Sequence, residues 1–194
     1  VAFFDFSGWR LLVTAIILVL LYLSFPTADA GSTAIWLVLA YALSYLLMPW
    51  VKKYFFTKTI AFDMAGVMLK GEWLTEDMEW MPGMRELVVK LNRDYKTALI
   101  TNNNGLAQEP FNAKFGFPDL FDYVLPSGKV HHAKPSVGIF QHLLRVSGSS
   151  PNNTIFIDDK KEYLTGATQL GIHTIHFTSY EQLVKDLHAF GVKI

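Results

Sequence analysis

Residues 60–72 read IAFDMAGVMLKGE, an apolar run that ends on an aspartate and passes at once into small, flexible residues. Ile60, Ala61 and Phe62 fit a strand buried on both faces of a sheet, the setting in which a short continuous apolar run is stable. Asp63 then stands at the carboxyl end of that strand, where open α/β sheets gather their chemistry, and is the candidate nucleophile. Taken alone, an aspartate here also suits a strand that caps itself and enters a turn. The later stretches decide between the two.

Downstream, the chain alternates strand and helix patterns. Met68 to Met81 is mixed, and Pro82-Gly83 opens a helix from Met84 to Arg93. TALIT, Thr97 to Thr101, is a strand that ends in Asn102, Asn103, Asn104 and Gly105. A helix to Phe115 and a short strand, Tyr123 to Leu125, come next. Pro135 at the first-turn position then opens a helix from Ser136 to Val146. Thr154 to Ile157 is a strand stopping at Asp158 and Asp159, and a helix (Glu162 to Leu170), a strand (His173 to Phe177) and a helix (Tyr180 to Phe190) complete the chain. This alternation predicts parallel βαβ units in a Rossmann-like three-layer α/β fold.

Parallel strands deliver their last residues to one edge, so Asp63, Thr101 and the Asp158/Asp159 pair should converge, with Lys134 arriving just before a helix. A carboxylate nucleophile, a hydroxyl donor, an ammonium group and a further carboxylate pair are the parts that phosphoryl transfer needs. The nucleophile attacks phosphorus, a hard cation bridges carboxylates and phosphate, and the donors neutralise the non-bridging oxygens.

FDMAGV, LITNN, the KP of HHAKPSVGIFQHLL, and FIDDKKEYLTGATQLGIHTIHF resemble, in order, the four motifs of the haloacid dehalogenase superfamily. The resemblance covers residues 58 to 192. It implies that Asp63 is the aspartate that becomes phosphorylated, Thr101 the second-motif hydroxyl and Lys134 the third-motif lysine. It further implies that Thr101, Asn102 and Lys134 meet the substrate phosphate, and that Mg²⁺ is held by Asp63, Asp158, Asp159 and the backbone carbonyl of Ala65.

Two departures from the family pattern stand out. Phosphatases of the family usually carry an aspartate, the general acid and base, where this chain has Ala65; such proton transfer is typically worth about 10² to 10⁴-fold in rate. Only thirty-seven residues separate Asp63 from Thr101, too few for a separate helical cap. The expected enzyme is a capless Mg²⁺-dependent phosphomonoester phosphatase. Its expected partners are a phosphorylated small molecule, a lipid headgroup or a macromolecule, with a lid supplied by a partner chain or a second copy. The alternative is a catalytically impaired binding or regulatory protein at the membrane, for which Ala65 argues. Cleavage of carbon–halogen or carbon–phosphorus bonds, a third reading, is disfavoured by the missing cap. Trp73, Met78, Trp80 and Met81 are expected to pack a β-hairpin flap onto the core, with a small lid or bilayer contact as the other use.

The first fifty residues differ from the rest. Trp9 to Phe25 is seventeen residues with one charge, Arg10, and Ala34 to Val51 is eighteen with none. Each is near the shortest length that spans a bilayer core. The expectation is therefore a membrane anchor over residues 1–53, a transmembrane hairpin of two helices (9–25 and 34–51), followed by a hydrolase domain over 54–194. Lys52, Lys53 and Lys58 then place the N-terminus and the domain in the cytoplasm. Two buried core helices, or a cleaved signal segment ending at Ala28-Asp29-Ala30, are the other readings of this region.

Composition excludes several classes. The 194 residues carry 17 basic and 17 acidic side chains, a balance that speaks against nucleic acid as a partner. The absence of cysteine excludes disulfides, thiolate metal sites and a cysteine nucleophile.

Overall fold

The computed structural model describes residues 57–71, 77–103 and 108–194, with residues 14–17, 19, 38–40, 42–44, 46, 47 and 53 in addition. The chain divides into two compact units, 1–52 and 53–194.

The larger unit is built on a five-stranded, wholly parallel sheet. Its strands are β1 (Thr59–Asp63), β4 (Lys96–Thr101), β5 (Tyr123–Pro126), β6 (Thr154–Asp158) and β7 (His173–His176), in the order β5-β4-β1-β6-β7. The helices are α1 (Met84–Asp94), α2 (Gln108–Phe115), α3 (Phe117–Leu120), α4 (Ser127–Val130), α5 (Val137–Ser147), α6 (Lys161–Gln169) and α7 (Tyr180–Ala189). The sheet is thus the expected α/β arrangement, and β1, the centre of the order, is where its connections reverse direction.

Strand periodicity sorts the core. Ile60, Phe62, Leu99, Ile155 and Ile157 point to one face, where Leu87 and Leu91 of α1 and Leu183 and Leu187 of α7 cover them. Ala61, Ala98, Ile100 and Phe156 point to the other, beneath Ile139, Phe140 and Leu143 of α5 and Leu164 and Ala167 of α6. Ala61 pairs in register with Ala98 on one side and Phe156 on the other. Two alanines side by side leave room above the sheet, and Phe140 packs edge-on to Phe156 with ring centroids 5.0 Å apart.

Between β1 and β4 the chain forms an antiparallel hairpin of β2 (Leu69–Lys70) and β3 (Glu79–Trp80), then α1. Met78 is buried, and Trp80 meets Phe115 and Phe117 edge-on at 5.7 and 5.6 Å. The flap packs onto the core as expected; Trp73 lies outside the described residues. The hairpin and α1 fill the interval, and among the described residues there is no separate cap.

Helix α5 begins one residue later than the proline rule predicts. Ser136, rather than a residue before Pro135, is its N-cap and accepts from the Gly138 N–H at 3.3 Å, while the Lys134–Pro135 peptide is cis.

In the smaller unit, residues 14–17, 19, 38–40, 42–44, 46 and 47 are helical. Ala40 and Ser44, one turn apart, are buried, and Val38, Leu43 and Leu46 are exposed. The expected spans at 9–25 and 34–51 otherwise lie outside the described residues. Among the described residues no helix is long and apolar enough to cross a membrane. The transmembrane hairpin, the integral-membrane assignment and the orientation argued from the flanking lysines are therefore withdrawn.

Candidate active site

The chain turns sharply after β1. The Met64 carbonyl accepts from the N–H groups of Met68 and Leu69 at 3.0 and 2.8 Å, and the Gly66 N–H donates to Leu69 O at 2.8 Å. Gly66 has φ +92°, and a Cβ there would lie 2.5 Å from an oxygen of Asp159. Only glycine lets this loop approach the acidic pair so closely.

The strand ends converge as parallel topology requires. Asp63 closes β1, Thr101 closes β4 and Asp158 closes β6. Lys134 stands between the two carboxylates: its Nζ donates to Asp63 Oδ1, and to Asp158 Oδ2 at 2.7 Å. All three residues are buried. The other oxygen of Asp158 accepts the Lys160 N–H at 2.9 Å.

Lys134 is held by its backbone. Asn102 Nδ2 donates to the Lys134 carbonyl at 2.9 Å, and the Lys134 N–H donates to Asn102 Oδ1 at 2.7 Å. From the other side α6 presses against the next residue, since a Cβ on Gly166 would fall 1.9 Å from the Pro135 carbonyl oxygen. The strand end after β4 and a helix after β6 thereby fix one lysine from a third connection.

Burial dominates the electrostatics. It pushes the Asp63 carboxyl up to about 6 against the opposing pull of Lys134, with the Asp158 charge raising it further. Burial also raises Asp158, and Lys134 again opposes it. One ammonium thus faces more negative charge than it neutralises.

The third carboxylate makes that imbalance useful. Oxygens of Asp63, Asp158 and Asp159 lie within 4.8 Å of one another. Asp159 Oδ1 is buried and has no hydrogen-bond partner among the described residues. A buried carboxylate oxygen without a donor is costly unless something else satisfies it. An all-oxygen set with excess negative charge fits a hard divalent cation.

A cavity of about 270 Å³ opens in front of these groups, lined by Asp63, Ala65, Thr101, Asn102, Lys134, Lys160 and Tyr163. Ala65 contributes no acid to it. Of the residues singled out in the sequence, Asp63, Ala65, Thr101, Asn102 and Lys134 line this cavity, and Asp158 and Asp159 stand beside Asp63 in the carboxylate cluster. The sequence reading missed Tyr163 and the Asn102 clamp. Tyr163 follows Asp158 by five residues, one turn into α6, and that spacing was the available signal. His131 and His132 are exposed and lie outside the lining.

The family model described as haloacid dehalogenase-like hydrolase matches residues 54–177. The chain is 28% identical to drimenol cyclase drtB of Aspergillus calidoustus over 53% of its length and 22% of the relative's. It is 29% identical to the glyceraldehyde 3-phosphate phosphatase of Methanothermobacter thermautotrophicus, over 43% of this chain and 38% of that one. It is 35% identical to the sesquiterpene phosphatase astK of Aspergillus oryzae, over 31% of each. In all three the chain spans well under half of the relative.

Among solved structures, one from Porphyromonas gingivalis superposes with a TM-score of 0.58 at 19% identity, covering 71% of this chain and 99% of that one. Another, from Bacteroides thetaiotaomicron in complex with magnesium and inorganic phosphate, gives 0.52 at 19%, covering 64% and 95%. At these identities the likeness establishes the fold.

Proposed function

The chain belongs to the haloacid dehalogenase-like hydrolase family, and on that premise we propose that it is a Mg²⁺-dependent phosphomonoester phosphatase acting through an aspartyl-phosphate on Asp63. The observation that carries this reading is the lysine bridge: Lys134 Nζ contacts both Asp63 and Asp158, and Lys134, Asp63 and Thr101 all line one cavity. A single buried cation between two strand-end carboxylates keeps the nucleophile ionised and aimed. The magnesium and phosphate held by the Bacteroides relative, and the two phosphatases among the relatives, support it.

Asp63 attacks phosphorus, the bond from phosphorus to the leaving oxygen breaks, and the acyl phosphate remains on the aspartate. Lys134 holds Asp63 in place and neutralises charge that builds on the phosphoryl oxygens, while the Thr101 hydroxyl donates to one of them. Asn102 lines the cavity and keeps Lys134 there through its two backbone hydrogen bonds. Water then attacks phosphorus, releasing phosphate and returning the Asp63 carboxylate. Asp63, Asp158 and Asp159, with the Ala65 carbonyl, would hold Mg²⁺, which supplies Lewis-acid charge neutralisation of the phosphoryl group.

Ala65 sets the character of the enzyme. No side chain at that position protonates the leaving oxygen, so esters of acidic alcohols should turn over faster than alkyl esters. The same residue favours a second reading, a phosphate-binding protein of reduced catalytic power.

The test is release of inorganic phosphate from a panel of phosphomonoesters, with and without Mg²⁺, by the native protein and by Asp63→Asn. Mg²⁺-dependent release lost in Asp63→Asn supports the phosphatase; release that survives in the variant refutes it. Tight phosphate binding without release would favour the second reading.

A further inference from the structure

Two side chains face the cavity without a task in this mechanism, Lys160 and Tyr163. Lys160 is the residue before α6 and Tyr163 lies in its first turn. The Lys160 ammonium sits 5.2 Å from the Tyr163 ring centroid, and Lys134 Nζ sits 5.1 Å from the same centroid. One aromatic ring therefore stands beside two cations.

The two cations are not equivalent. Lys134 is buried and engaged by Asp63 and Asp158. Lys160 is exposed, and among the described residues no carboxylate lies within salt-bridge distance of its ammonium. Its backbone N–H donates to Asp158, which fixes the residue beside the site and leaves the side chain to the cavity. The ring favours the ammonium over its face. Ala65, on the same lining, contributes no carboxylate that would pair with it. A cation held at a cavity wall with no counterion among the described residues is complementary to an anionic group on the ligand.

We propose that Lys160, backed by Tyr163, forms a second anion subsite in the cavity, and that the substrates are phosphate esters bearing a further anionic group close to the scissile phosphate. This rests on the phosphatase reading above. Both cations flank one ring, so the second group lies near the first; a diphosphate and a phosphocarboxylate share this chemistry.

Calorimetric binding of pyrophosphate, phosphoglycolate and inorganic phosphate, all at the same saturating Mg²⁺, tests the subsite in the native protein, Lys160→Met and Lys160→Arg. The native protein should bind at least one of the two larger anions about tenfold more tightly than phosphate, the scale of one charge-assisted contact. Lys160→Met should abolish that preference and Lys160→Arg should restore it. Whichever anion shows the preference identifies a diphosphate or a phosphocarboxylate. No preference in the native protein, or one unchanged in Lys160→Met, overturns the subsite. Binding needs no turnover, so the two readings fail separately. A Lys160-dependent preference without hydrolysis sinks only the phosphatase, and Asp63-dependent hydrolysis without the preference sinks only the subsite.

Discussion

At the edge where the sheet's strands begin, Lys53 donates to Asn92 and to Asp122 Oδ1, the latter at 2.9 Å, and Asp122 Oδ2 accepts the Thr97 N–H at 2.9 Å. At the edge where the strands end, Lys134 stands between Asp63 and Asp158 with Asp159 beside them. Both networks join a lysine to carboxylates across distant segments. In the first, one carboxylate meets one ammonium and each of its oxygens has a donor. In the second, two carboxylates share one ammonium, and a third, Asp159, lies beside them with a buried oxygen that has no hydrogen-bond partner among the described residues. A network that only holds the fold together satisfies itself, whereas one built for chemistry leaves charge and donors for what it binds.

The largest effect that would break or sharpen this contrast is on turnover. Asp63→Asn should lower phosphate release by at least about 10³-fold, because the nucleophile and not a supporting group is lost. Ala65→Asp should act in the opposite direction, raising kcat for unactivated alkyl phosphates by about 10²-fold as a general acid is supplied. A rate left unchanged by Ala65→Asp would mean that the missing acid does not limit the native protein.

Stability should respond in the opposite sense at the two edges. Asp122→Asn leaves Lys53 short of its carboxylate and should lower unfolding stability by about 2–3 kcal/mol in chemical denaturation, with kcat unaltered. Asp63→Asn, by contrast, removes surplus negative charge and should leave the metal-free protein as stable as native, or more so, at neutral pH. Equal destabilisation by both substitutions would erase the distinction.

The smallest effect is in pH dependence. The folded protein holds the Asp63 proton more tightly than an unfolded chain does, with a value of about 6 against 3.8. The stabilisation from that proton is complete below the unfolded value and is lost as pH rises through about 6. The native protein should therefore lose roughly 2 kcal/mol relative to Asp63→Asn between pH 4 and 7.5, measured by urea denaturation in a chelator. A difference that does not change with pH would place Asp63 in a less buried setting than the structure gives it.

Much of the catalytic edge was legible because parallel strands obey a simple rule. An apolar run read as a strand delivers its last residue to a known place, so Asp63, Thr101 and Asp158 could be assembled before any coordinates. Contacts between segments far apart in sequence could not be read this way. Asn102 clamps Lys134 across 32 residues, and Gly166 lies against Pro135 because α6 crosses the start of α5. Neither follows from periodicity. The anchor expectation, which rested on apolar runs of seventeen and eighteen residues, is not supported: among the described residues no helix is long and apolar enough to cross a membrane.

The central claim is that phosphoryl groups pass through Asp63. Native protein turning over a phosphomonoester with Mg²⁺ can be quenched in acid, digested and searched by mass spectrometry for a phosphorylated aspartate. The account predicts the phosphoryl group on the peptide containing Asp63, at an occupancy that rises with turnover. Steady turnover with that peptide unmodified, or with the phosphoryl group on another residue, would contradict it.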